Sequence, residues 1–125
     1  MKTILVIEDD PKNLELIVRI LTRSKFEVKV PSNAAEAIAM AIESRPDAIL
    51  MDLALDKWNP PSDGCVLTQE LRKITELATV PIIACSAASF PFEKENARAA
   101  GCSEFVEKPV DYLKLIARLK VITEG

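Results

Sequence analysis

The sequence predicts an α/β fold, a doubly wound parallel sheet of five strands with five helices, and three observations support that expectation. Short apolar runs alternate with segments of helical period along the whole chain. Three of the runs, Ile4–Ile7, Ala48–Met51 and Pro81–Cys85, are continuously apolar, as strands covered on both faces must be. Nearly every run also stops at a carboxylate, a hydroxyl or a lysine: Glu8-Asp9-Asp10, Asp52, Ser86 and Glu107-Lys108-Pro109. Strands of a parallel sheet end on one common edge, so these groups converge there.

Each element has a local reason. The first strand, Ile4–Ile7, leads into a helix from Pro11 to Arg23. Asp10 is placed to cap that helix, Pro11 suits its first turn, and Leu14, Ile17, Val18 and Leu21 form its inner stripe. Glu27-Val28-Lys29-Val30 alternates polar with apolar, the pattern of an edge strand. Asn33 with Glu36 forms a capping box for a second helix running to about Glu43. After the strand at Ala48–Met51 comes the one irregular stretch, residues 56–63. It is rich in turn formers and holds Pro60 and Pro61, so an ordered loop without regular structure is expected. Helical patterns follow over Gly64–Thr75, Phe92–Ala100 and Asp111–Ile122. They enclose the strand at Pro81–Cys85 and a short one at Phe105-Val106. Gly101 stands where a left-handed helix stop is common.

Composition narrows the function. The 125 residues are read as one domain, 1–125, with 49% hydrophobic and 28% charged residues. A net charge of −3 argues against direct nucleic-acid binding and favours basic partners or metal ions. Nothing resembles a signal peptide or a membrane span, so a cytoplasmic protein is expected. Cys65, Cys85 and Cys102 fit no metal spacing and are read as reduced thiols. The chain has no histidine, which removes Ser-His-Asp and Cys-His catalysis and any His-ligated metal.

Carboxylates gathered at one edge repel, by about 4 kcal/mol for two charges 4 Å apart at a surface-like dielectric. A cation must offset this, and oxygen ligands suit Mg²⁺ or Mn²⁺. Lys108 adds a second positive charge. Between metal and ammonium a phosphoryl group can be polarised while an aspartate attacks it, giving an aspartyl phosphate. Ser86 is then placed to donate a hydrogen bond to a phosphoryl oxygen.

At these residues the chain resembles a known family, the receiver domain of two-component response regulators. The motifs are Ile-Leu-Val-Ile-Glu-Asp-Asp at 4–10, Met-Asp-Leu at 51–53, Asp63-Gly64, Cys-Ser-Ala at 85–87 and Glu-Lys-Pro at 107–109. The resemblance covers essentially the whole chain and implies a flavodoxin-like sheet of order 2-1-3-4-5. It implies Asp52 as phosphoacceptor and Mg²⁺ held by Asp9, Asp52 and the backbone carbonyl of Ala54, with Glu8 acting through water. It further implies Ser86 and Lys108 as the hydroxyl and lysine of the site, Phe105 as the switching aromatic, and a cis Lys108-Pro109 peptide. The implied donor is a sensor histidine kinase or a histidine phosphotransfer protein. The implied output is a downstream protein contact through a face that includes Lys94, Arg98, Tyr112 and Lys114. Because the last helix ends near the final residue, a stand-alone receiver without an output domain is expected, acting as a relay intermediate or a single-domain effector.

Several residues admit a plainer reading beside the functional one. Asp10 is a metal ligand or simply the helix cap. Phe105 is core, with or without a switch. Between Asp52 and Asp63-Gly64 the chain has about four residues more than the family pattern, and Asp56 stands where proline is usual. Within this insertion Trp58 either lids the site or packs the loop down, and Asp56 is a candidate outer carboxylate. Ala54, Ala87 and Ala88 are small and leave access for donor and water. Leu16 and Ile20, one turn apart and off the inner stripe, are candidate docking residues for the donor. A nucleotide or flavin module is disfavoured because none of the three glycines follows the first strand. A phosphatase with its nucleophile after the first strand leaves Asp52 unexplained. A degenerate receiver used only for binding is disfavoured by the full acidic, hydroxyl and lysine set.

Overall fold

A computed structural model describes residues 1–87 and 91–124; Ala88, one of the small residues expected near the site, lies outside them. In chain order the elements are β1 (Thr3–Ile7), α1 (Pro11–Arg23), β2 (Glu27–Lys29), α2 (Ala34–Ser44), β3 (Ala48–Asp52), β4 (Ala54–Leu55) and β5 (Ser62–Asp63). There follow α3 (Gly64–Arg72), a 3₁₀ turn (Thr75–Leu77), β6 (Ile82–Ser86), α4 (Pro91–Ala100), β7 (Glu104–Glu107) and α5 (Tyr112–Glu124). The main sheet is parallel with order β2-β1-β3-β6-β7, the expected flavodoxin-like order 2-1-3-4-5 once the short β4 and β5 are set aside.

Alternate residues of the central strands serve opposite faces, as the pleat requires. Leu5, Ile7, Ile49, Met51, Ile82 and Ala84 face one core, closed by Ala37 and Ala41 of α2, Leu67 and Leu71 of α3 and Ala97 of α4. Ile4, Val6, Leu50 and Ile83 face the other, closed by Leu21 of α1 and by Leu115 and Leu119 of α5. Leu14 and Ile17 join Leu21 there, three of the four residues of the expected inner stripe of α1, while Val18 is half-buried and not part of that core.

The caps fall where the sequence places them. Asp10 Oδ2 accepts from the backbone N–H of Asn13 at 3.0 Å, and Asn33 Oδ1 accepts from Glu36 N–H at 2.8 Å. Gly101 takes φ 118°, the left-handed stop expected after α4. Helix α3 ends at Arg72, three residues short of the expected Thr75, and the chain tightens into the 3₁₀ turn.

The 56–63 stretch is partly a correction. Ser62 and Asp63 pair antiparallel with Leu55 and Ala54, so prolines 60 and 61 occupy the turn of a small hairpin rather than a wholly irregular loop. Asn59-Pro60 is a cis peptide, as is the anticipated Lys108-Pro109. Trp58 is 7% exposed and belongs to the core over α2 and α3, so it packs the loop down.

Candidate functional site

The site lies where β1, β3, β6 and β7 end. Leu53 N–H donates to the carbonyl of Cys85 at 3.1 Å and Lys108 N–H to the carbonyl of Ser86 at 2.8 Å, so the polar residues leave the sheet in register. Glu8, Asp52 and Ser86 are buried although polar, at 4%, 6% and 7% exposure. Burial of such groups is tolerated only when they are paired.

Lys108 supplies the pairing. Its Nζ donates to Glu8 Oε1 at 3.2 Å and to Asp52 Oδ2 at 3.1 Å, bridging the ends of β1 and β3. The other oxygen of Asp52 accepts from Ala54 N–H at 3.1 Å, and Glu8 Oε2 accepts from Asp10 N–H at 3.1 Å. Burial raises the Glu8 carboxyl above its ordinary value, and the neighbouring Asp52 raises it further. Burial also works to lower the Lys108 ammonium, but the Asp52 and Glu8 carboxylates outweigh it and hold it above its ordinary value.

Glu8, Asp9 and Asp52 each offer a carboxylate oxygen, all within 4.8 Å of one another. An all-oxygen donor set at that spacing fits a hard divalent cation such as Mg²⁺, and the mutual repulsion of the acids favours one. Asp10 is engaged elsewhere: one oxygen caps α1 and the other accepts from Lys57 Nζ at 2.5 Å. Its capping reading is therefore supported. Lys57 also donates its backbone N–H to Asp9 Oδ2 at 2.7 Å. Asp56 and Lys57 line the mouth of the same acidic pocket, with Ala54 and Ala87 beside it.

Ser86 reaches away from the acids: its hydroxyl donates to Glu93 Oε2 on the first turn of α4 at 2.8 Å. Phe105 is half-buried on β7 and packs against the α2/α3-side core. Leu16 is 42% exposed and Ile20 half-buried. Leu16 lines an apolar groove of about 490 Å³ that also takes in Ile17, Val110 and Tyr112 and opens beside Asp52 and Lys108.

Sequence reasoning gathered Glu8, Asp9, Asp52, Ala54, Ser86 and Lys108 at one edge; the structure brings Glu8, Asp9, Asp52, Ala54 and Lys108 together around one pocket, while the Ser86 hydroxyl is engaged by Glu93 instead. It missed Lys57 and Glu93. A lysine inside an acidic insertion was a usable signal for the first; no local pattern pointed to the second.

A parallel five-stranded sheet with an acidic triad and a lysine at its carboxyl edge defines a receiver-type signalling module. The chain belongs to the response regulator receiver domain family, whose match spans residues 4–120. It is 32% identical over 119 residues to the polar-differentiation response regulator DivK of Brucella anthropi, covering 95% of this chain and 94% of that one. Among solved structures it is similar to the receiver domain of a sensor histidine kinase from Pseudomonas aeruginosa, which has a magnesium ion coordinated in its active-site cleft. The two are 31% identical with a TM-score of 0.87, over 99% of this chain and 98% of that one. A response regulator from Chloroflexus aurantiacus superposes with a TM-score of 0.88 at 27% identity, over 99% and 98% of the two chains. Among the described residues no helix is long and apolar enough to cross a membrane.

Proposed function

We propose that this protein is a single-domain response regulator that accepts a phosphoryl group on Asp52 and signals through protein contacts. The observation that carries the reading is the Lys108 ammonium bridging Glu8 and Asp52 at 3.2 and 3.1 Å, with the Asp9 carboxylate alongside. An oxygen of Asp52 attacks phosphorus, the bond from phosphorus to the donor breaks, and the bonding pair leaves with the donor. Mg²⁺, bound by Asp9, Asp52 and the Ala54 carbonyl with Glu8 in support, would neutralise charge on the phosphoryl oxygens. Lys108 stands beside Asp52 and offers its ammonium to the same oxygens. Slow attack of water on phosphorus, with the Asp52 carboxylate as leaving group, releases inorganic phosphate and resets the site, so the protein is a phosphoacceptor rather than a turnover enzyme.

With no histidine in the chain, the donor is a histidine kinase or a histidine phosphotransfer protein in the cytoplasm. The apolar groove beside Asp52, with Leu16 on its wall, is a suitable landing for that donor. Phosphorylation adds about −1.5 to −2 charge and three acceptor oxygens. Ser86 and Phe105 are the proposed switch, and Lys94, Arg98, Tyr112 and Lys114 belong to the face whose partner changes.

Incubation with Mg²⁺ and acetyl phosphate, read by intact mass, tests this. Wild type gains one phosphoryl mass, and both Asp52→Asn and wild type in EDTA gain none. Labelling that persists in Asp52→Asn would reassign the acceptor. Absence of labelling in wild type, with or without metal, would favour a receiver used only for binding.

A further inference from the structure

The insertion between β4 and β5 is more than a packed loop. Leu55 is fully buried and Trp58 nearly so, while the ladder Ala54↔Asp63 and Leu55↔Ser62 closes its base. Between these anchors Lys57 is turned back onto the acids: its backbone N–H holds Asp9 Oδ2 and its ammonium holds Asp10 Oδ1. The pocket mouth is lined by five carboxylates, Glu8, Asp9, Asp10, Asp52 and Asp56, and by two ammonium groups, Lys57 and Lys108.

Resting on the proposed metal reading of this site, we infer that Lys57 is a positioning and counter-charge residue that sets the affinity of the acidic pocket for Mg²⁺. It does so in two ways. Its ammonium opposes an incoming divalent cation from the solvent side, as Lys108 does from the sheet side. It also occupies the Asp10 oxygen that the α1 cap leaves over, so Asp10 stays out of the ligand set. Lys57 side-chain exposure of 57% means its field is screened by water and salt, so the effect is a tuning of affinity rather than a block.

The test is calorimetric Mg²⁺ titration of the full chain, with the fluorescence of Trp58, the one tryptophan, as a second readout. A +1 charge several ångströms from a +2 ion in a water-like dielectric predicts that Lys57→Met binds Mg²⁺ about three- to tenfold tighter at low salt. That gain shrinks in concentrated KCl, which a purely structural role would not produce, and Lys57→Arg keeps wild-type affinity. Asp10→Asn, which retains a good helix cap, frees the ammonium and weakens Mg²⁺ binding. A wild type that binds saturably while Lys57→Met binds equally or more weakly overturns this inference and leaves the metal site standing. A wild type with no saturable Mg²⁺ binding removes the metal reading and this inference together.

Discussion

Replacing Gly64 by alanine separates two physical effects of opposite sign. Gly64 opens α3, and on helix propensity alone alanine is better there than glycine by about 1 kcal/mol. The surroundings say the reverse. A Cβ at this position would stand 2.4 Å from the Asp52 carbonyl oxygen, 2.6 Å from Leu53 Cα and 3.1 Å from the Asp52 carbonyl carbon, all backbone atoms that cannot swing aside. The helix start is pinned against that strand end by Gly64 N–H donating to the Leu53 carbonyl at 3.0 Å. It is further pinned by Asp63 Oδ1 accepting from Cys65 and Val66 N–H at 2.7 and 3.2 Å. Relief requires α3 and β3 to part by about 1 Å. Overpacking of that kind costs about 1–3 kcal/mol, and the strained Gly64–Leu53 hydrogen bond adds about 1 kcal/mol. The expected net loss is about 1–3 kcal/mol after the propensity gain, a sizeable share of the roughly 5–15 kcal/mol that holds a domain folded. Urea unfolding followed by Trp58 fluorescence and by far-UV circular dichroism measures it, and thermal unfolding shows the same loss as a fall in Tm of about 4–11 °C. Val66→Ala, 53% exposed in the same helix turn, serves as the control and changes little. Because the displaced backbone atoms belong to Asp52 and to Leu53 beside it, acetyl phosphate labelling of Gly64→Ala also slows under conditions where the variant is fully folded. Stability equal to or above wild type would refute the close-approach argument.

Two further outcomes follow from the geometry. The Ser86 hydroxyl donates to Glu93, so Glu93→Ala removes one acceptor that competes with a phosphoryl oxygen and tightens binding of beryllofluoride, a phosphoryl mimic, about fivefold at saturating Mg²⁺; unchanged affinity would show that the Glu93 contact does not compete. Burial pushes the Cys85 thiol up to about 12 and, with help from Asp63, the Cys65 thiol up to about 11, and burial also raises Cys102. At pH 8 Cys85 and Cys65 therefore alkylate at least about tenfold more slowly in the native protein than in urea, and Cys102 more slowly than in urea; a native thiol that reacts at the unfolded rate would contradict the packing around it.

The legible part of this protein was the part written in local pattern. Strand ends could be read because an apolar run that stops at an acid marks both the last buried residue and the first at the edge, as at Ile7-Glu8 and Met51-Asp52. Caps could be read because Asp10 and Asn33 act on backbone groups three residues away. The hairpin of Ala54–Leu55 with Ser62–Asp63 was not legible: two residues a side carry no period, and two adjacent prolines argue for disorder of pattern. Side-chain reach across the fold was equally hidden. Lys57 meets Asp10 across 47 residues, and Glu93 meets Ser86 only because α4 folds back over the end of β6. Trp58 could be read as lid or packing, and only the position of the 54–63 hairpin over the core decides for packing.

The contacts around Ser86 also say how a change there would travel. Ser86 pairs with Glu107 in the β6–β7 ladder and accepts Lys108 N–H through its carbonyl, so the hydroxyl and lysine of the site are tied by backbone. Two residues back along β7, Phe105 pairs with Ala84 and packs against the core that also receives Ala97 of α4. Glu93 holds the first turn of α4 to Ser86, while Ala97 and Ala100 keep the rest of that helix in the core at 1% and 5% exposure. In the proposed switch, a phosphoryl group that captures the Ser86 hydroxyl removes one tie at the amino end of α4, the contact with Glu93, and leaves the carboxyl end seated. A pivot of the helix about Ala97 and Ala100 would then reach Phe105, which lies on β7 beside that end of α4. Coupling of this kind needs only a contiguous set of contacts with two arrangements, and the difference in phosphoryl affinity between them bounds how far the population can shift. In that proposal Ser86, Glu93, Ala97 and Phe105 would be such a set, leading to the face that carries Lys94 and Arg98.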